Sequence, residues 1–105
     1  MNRTRLPDRW PSCTTVLVFE NNRYSVTLGF DVRHDRIAEV FTHGAKVGSG
    51  MDRLLDDVCV ALSLLLQHGA QPTPLAASMG RLGDGTSPAS IVGALADLIA
   101  REARP

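Results

Sequence analysis

Two rhythms of apolar and polar residues run along this chain, and the change from one to the other marks its elements. From Met51 to His68 (MDRLLDDVCVALSLLLQH) apolar residues recur at the helical period, so Met51, Leu54, Leu55, Val58, Leu62, Leu65 and Leu66 fall on one stripe flanked by Cys59 and Ala61. Asp52, Arg53, Asp56, Asp57, Ser63, Gln67 and His68 fall opposite. Ser49 is a good N-cap, Asp52 places negative charge in the first turn, and Gly69 suits the left-handed position that ends a helix. The stretches from Ser12 to Glu20 and from Arg23 to Asp31 alternate instead with a period of two, and Asn21-Asn22 between them suits a two-residue hairpin turn. That loop pairs Glu20 with Arg23, and puts Phe19 with Tyr24, Leu17 with Val26, Thr15 with Leu28 and Cys13 with Phe30 on one core face. The other face carries Thr14, Val16, Val18, Ser25, Thr27 and Gly29.

A third strand is expected over Arg36 to Thr42, where Ile37, Glu39 and Phe41 alternate with Ala38 and Val40; apolar residues on both parities leave its core face open. After the long helix, Thr73 with Pro74 opens a short helix running to about Met79, and Ser87 with Pro88 opens a last helix running to about Glu102. The last helix has an apolar face (Ile91, Val92, Leu95, Leu98, Ile99) beside a strip of small residues (Ala89, Gly93, Ala96, Ala100) suited to close packing. The fold class expected is α+β: a three-stranded antiparallel meander packed on one long central helix, with a short helix and a C-terminal helix. Residues 1–11, with Pro7 and Pro11, read as an arm, and residues 12–105 as one domain.

Composition narrows the functional classes. Eleven basic residues, ten arginines and Lys46, balance eleven acidic ones, which is not the footprint of a strong non-specific nucleic-acid binder. The most apolar run, Val58 to Leu66, falls far short of the roughly 20 residues that cross a bilayer, so no membrane association is expected. No apolar segment follows Arg3 and Arg5 as in a secretory signal, Cys13 and Cys59 are far apart, and His34, His43 and His68 have no metal-ligand spacing. A reduced, cytoplasmic protein is expected.

Arg5-Leu6-Pro7, AEVF at Ala38 to Phe41, GAKVGS at Gly44 to Ser49, ALSLLLQHG at Ala61 to Gly69 and the run from Ser87 to Ala94 together span nearly the whole chain. In that order they resemble the TSCPD-type domain found at the C-terminal end of adenosylcobalamin-dependent (class II) ribonucleotide reductases and as small stand-alone proteins. The Thr-Ser-Cys-Pro-Asp motif that names the family is absent, with only Ser12-Cys13-Thr14 as a faint echo, so no cysteine chemistry carries over. The resemblance implies a link to deoxyribonucleotide synthesis through an accessory or regulatory module, without possession of the reductase activity. No cofactor is expected in this chain; adenosylcobalamin belongs to the full-length reductase.

Four groups of residues are candidates for function. The glycine-rich stretch before the long helix, with Lys46, Gly48, Ser49 and Gly50, can present backbone N–H groups to an anion or nucleotide, although its lysine is misplaced for a P-loop. Arg3, Arg5 and Arg9 on the arm, with Arg33 and Arg36 beside the third strand, make the alternative reading of a nucleotide- or nucleic-acid-binding module. His34, Asp31, Asp35 and Glu39 resemble an acid–base cluster but lack a nucleophile or metal, and the two cysteines read as buried packing residues. Val60 and Leu64 on the polar side of the long helix, with Val16 and Val18 on the far face of the sheet, suggest a protein interface. The partners expected there are a second copy of the chain or a ribonucleotide reductase.

Overall fold

The hairpin closes one residue earlier than its asparagines suggest. Strands β1 (Ser12–Phe19) and β2 (Asn22–Asp31) are antiparallel, and the loop between them is Glu20-Asn21, with φ of 50° and 66°. Two left-handed residues in a row define the turn type whose twist matches that of the flanking strands. Asn22 enters β2, and its side-chain amide donates to the Glu20 carbonyl at 3.3 Å. The pairing therefore slips by two residues from the expected one: Leu17 lies opposite Tyr24, and Cys13 opposite Leu28 rather than Phe30. A slip of two keeps side-chain parity, so the expected core face survives. The new register lets the Phe30 N–H donate to the Pro11 carbonyl at 3.0 Å, which carries the ladder past the start of β1. The computed structural model describes residues 11–33, 35–44 and 49–103.

Strand β3 (Arg36–Gly44) adds antiparallel to β2, giving the sheet order β1-β2-β3. A bulge explains why its apolar residues occupy both parities. Gly29 faces Glu39, yet the next residue, Phe30, faces Ile37, leaving Ala38 as the extra residue. The strand changes phase there, so Ile37 and Val40 both reach the core.

Helix α1 (Ser49–Gln67) runs along the outer edge of β3. Three of its side chains, one turn apart, meet alternate residues of that strand. The Cys59 thiol lies 3.8 Å from the Thr42 hydroxyl, Ser63 Oγ accepts from the Val40 N–H at 3.0 Å, and the Gln67 amide donates to the Ala38 carbonyl at 3.0 Å. Arg36 extends the row by donating to the Gln67 carbonyl at 3.3 Å. The spacings agree because four helical residues rise about 6 Å and two strand residues about 6.6 Å. The helix thus occupies the place of a fourth strand and covers an edge that would otherwise offer free pairing groups. Ser63, expected on the polar side, is fully buried; its hydroxyl also donates to the Cys59 carbonyl at 2.8 Å.

The expected apolar stripe of α1 is only half used. Leu55, Leu62 and Leu66, with Cys59, enter a core shared with Leu17, Tyr24, Val26, Leu28, Ile37 and Val40 of the sheet. Met51, Leu54 and Leu65 are exposed, because the seam with β3 rotates the helix toward its Cys59–Ser63–Gln67 side. At its C-terminus the Gly69 N–H donates to the Leu66 carbonyl at 3.1 Å and the Ala70 N–H to the Leu65 carbonyl at 2.9 Å, with Gly69 at φ 98°. That is the glycine-terminated stop expected from the sequence.

Helix α2 (Pro72–Ala77) begins before the expected Thr73 cap: extended Gln71 precedes it, and a proline in the first turn fixes φ without losing a needed donor. Helix α3 (Ile91–Glu102) begins later than Ser87; its cap is Ser90, whose Oγ accepts from the Gly93 N–H at 3.1 Å. Ser87 is held by the preceding loop instead: its hydroxyl and N–H both donate to Asp84, and its carbonyl accepts from the Leu82 N–H at 2.9 Å. Small residues bring α3 close to its neighbours, since a Cβ on Gly93 would lie 3.3 Å from that of Pro88 and 3.4 Å from that of Met79.

Arg81 joins these last elements. Its guanidinium makes a two-pronged bond to Asp97 at 2.6 and 2.8 Å and also donates to the Ala76 and Thr86 carbonyls at 2.8 and 3.1 Å. The bond from Arg81 holds the Asp97 carboxyl below the usual carboxylate range, and donors from Ser87 and Thr86 lower Asp84 to about 2. Both groups are stronger acids folded than unfolded. Their stabilisation is complete above the unfolded carboxylate pKa of about 3.9 and is lost as pH falls through the folded values. Thermal melts should therefore show the midpoint falling steeply below pH ~4. Asp97→Asn should lower the midpoint at neutral pH and flatten that acid limb; an unchanged limb would remove Asp97 from the account.

Candidate functional site

The structure assigns different environments to the candidate groups. Arg3, Arg5, Arg9, His34, Lys46 and Gly48 lie outside the described residues. Gly50 is exposed, and a Cβ placed on it would meet nothing within 4 Å. Asp52 follows in the first turn. The two arginines beside β3 are engaged within the fold. The Arg33 N–H donates to the buried Asp31 carboxylate at 3.0 Å, with its guanidinium 3.7 Å from the same oxygen, while Arg36 reaches the end of α1.

Of the acidic residues, Asp31 holds Arg33, Glu39 is buried opposite Gly29 on the far face of the sheet, and Asp35 occupies a turn at φ 51°. Among the described residues no group of three or more His, Cys, Asp or Glu side chains is placed to hold a metal ion. Cys59 is buried and Cys13 half-buried, both against the core. No helix among the described residues is long and apolar enough to cross a membrane.

Two surfaces present apolar residues to solvent. The first is the far face of the sheet, where Val16 and Val18 on β1 are 50% and 60% exposed. Beside them a polar row crosses all three strands: Thr14 Oγ1 lies 2.8 Å from Thr27 Oγ1, which lies 3.1 Å from His43 Nε2. The row links these side chains across the sheet. Val60 and Leu64 are half-buried on α1, which lies along β3, whereas the exposed valines lie on β1.

The second surface is the unused half of the α1 stripe, with Met51, Leu54 and Leu65 exposed and Val58 half-buried between them. Sequence reasoning assigned these residues to the core. A signal for the alternative was present: the apolar arc is wider than one layer of a small sheet can cover, and its outer members follow alternating steps of three and four.

Comparison with known proteins adds one finding to this geometry. No curated protein and no solved structure matches the chain. The family model of the TSCPD domain matches residues 3–103, which takes in every element of the fold from β1 to α3. The chain therefore belongs to the TSCPD-domain family and is a ribonucleotide reductase-related module.

Proposed function

We propose that this chain is a non-catalytic accessory or regulatory module in deoxyribonucleotide synthesis, acting by protein–protein association with a class II ribonucleotide reductase. The observation that carries the reading is the family match over residues 3–103, which leaves the TSCPD domain itself as nearly all of the sequence in hand. The far face of the sheet supplies a surface suited to that work. Val16 and Val18 offer apolar area, and the Thr14–Thr27–His43 row offers hydrogen-bonding groups held by one another. Interfaces of regulated complexes combine such an apolar centre with a polar margin.

The test is direct binding of the purified chain to a purified class II reductase, followed by calorimetry and by the rate of ribonucleotide reduction. Binding with a change in that rate is expected. Val16→Asp together with Val18→Asp should remove both effects while leaving the thermal midpoint nearly unchanged, since exposed positions contribute little to stability. Absence of binding at any tested concentration would overturn the proposal, and binding unaffected by the two substitutions would move it off this face.

A further inference from the structure

The outward side of α1 carries a pattern that the rest of the chain does not use. Met51, Leu54, Val58, Ala61, Leu65 and His68 are separated by steps of three, four, three, four and three. This is the seam spacing by which one helix receives the side chains of another. Val58 packs partly against the core, but Met51, Leu54 and Leu65 are 41%, 54% and 46% exposed, and Ala61 is exposed between them. Other exposed apolar side chains, such as Val32 and Leu82, are scattered singly, as on most protein surfaces. The α1 residues instead form one continuous band on the longest helix, whose opposite side is committed to β3.

From this band we infer that two copies of the chain associate through antiparallel α1 helices. The order of side chains selects a second copy as the occupant, because it inverts onto itself. In a helix pair running in opposite directions about a two-fold axis, Leu54 of each copy meets Leu65 of the other, Val58 meets Ala61, and Met51 meets His68 at the ends. A symmetric interface requires such self-complementarity. The large residues lie toward the ends and the small ones at the axis, so the helices approach closely in the centre and interlock on either side. The seam holds no acidic residue, lysine or arginine. Arg53 and Asp57, which border it, meet no like charge, since the matching turns of the second copy run from Leu62 to His68. One helix pair covers less than a standard interface of about 1,600 Å², so a weak, reversible dimer in the micromolar range is expected. The dimer does not rest on the reductase reading, because it uses a different surface and needs no other protein.

Sedimentation equilibrium of the full chain tests it. Wild type should pass from monomer to dimer over the micromolar range. Leu54→Glu and Leu65→Glu should each weaken the dimer at least about 30-fold. Because both positions are exposed, the variants should keep the wild-type circular dichroism spectrum. Val18→Glu, on the sheet face, should dimerise like wild type. The register is tested in a Cys13→Ser background: Leu54→Cys mixed with Leu65→Cys should form a disulfide-linked pair under mild oxidation, whereas either alone should not. A wild type that remains monomeric at ~0.5 mM, well above that range, would overturn the inference and leave the band to a different protein. A dimer indifferent to both glutamates, one broken by Val18→Glu, or cross-linking of Leu54→Cys with itself would overturn it equally.

Discussion

Arg81→Met is expected to destabilise the fold, because it leaves a partly buried Asp97 carboxylate without its two-pronged partner. The loss exceeds that of a surface ion pair for a geometric reason. One guanidinium fills four roles: two bonds to Asp97, one to the Ala76 carbonyl at the end of α2, and one to the Thr86 carbonyl in the following loop. Side-chain exposure of 25% for Arg81 and 21% for Asp97 keeps water from replacing all of them. The change should lower the thermal midpoint as well. Arg81→Lys keeps the charge but not the planar fork, and should restore less than half of the loss. Urea unfolding of the three proteins measures these differences. A cost below about 1 kcal/mol for Arg81→Met would reduce the contact to an ordinary surface pair.

Ser63→Ala should cost about 2 kcal/mol, an unusual penalty for removing one oxygen. The hydroxyl accepts from the Val40 N–H and donates to the Cys59 carbonyl in a fully buried position. Its removal strands an edge-strand donor away from water, where an unmade hydrogen bond is expensive. Gln67→Ala, which removes one partly buried bond to the Ala38 carbonyl, should cost about half as much. Because both side chains cover the same strand edge, the double variant should also open β3 to pairing with other chains and aggregate on heating. Equal, small effects from both substitutions would contradict the sealing role.

The order and type of the elements were legible because each rests on local chemistry: alternation in the hairpin, the long helical stripe, and Gly69 at its end. What local pattern does not specify is how an element is turned about its own axis. Ser63 reads as polar until a strand edge supplies its partners, and Leu54 and Leu65 read as core until the same seam rotates them outward. The bulge at Ala38 is equally hidden, since a single extra residue changes strand phase without a distinctive sequence. Ser87 reads as the cap by sequence, but Asp84 in the preceding loop engages it and Ser90 caps the helix instead. The exposed valines of the sheet face were visible as violations of alternation, whereas the α1 seam was concealed within a pattern that appeared fully explained.

These features converge on α1 as the organising element, one side closing the sheet and the other facing outward. Backbone amide exchange at Val40 tests that arrangement most directly, since this N–H has Ser63 Oγ rather than a neighbouring strand as its acceptor. The account predicts exchange as slow as that of core amides, at a free energy close to that of global unfolding. Exchange at the rate of an unprotected peptide would show a bare edge, and would contradict both the placement of α1 and the outward seam that follows from it.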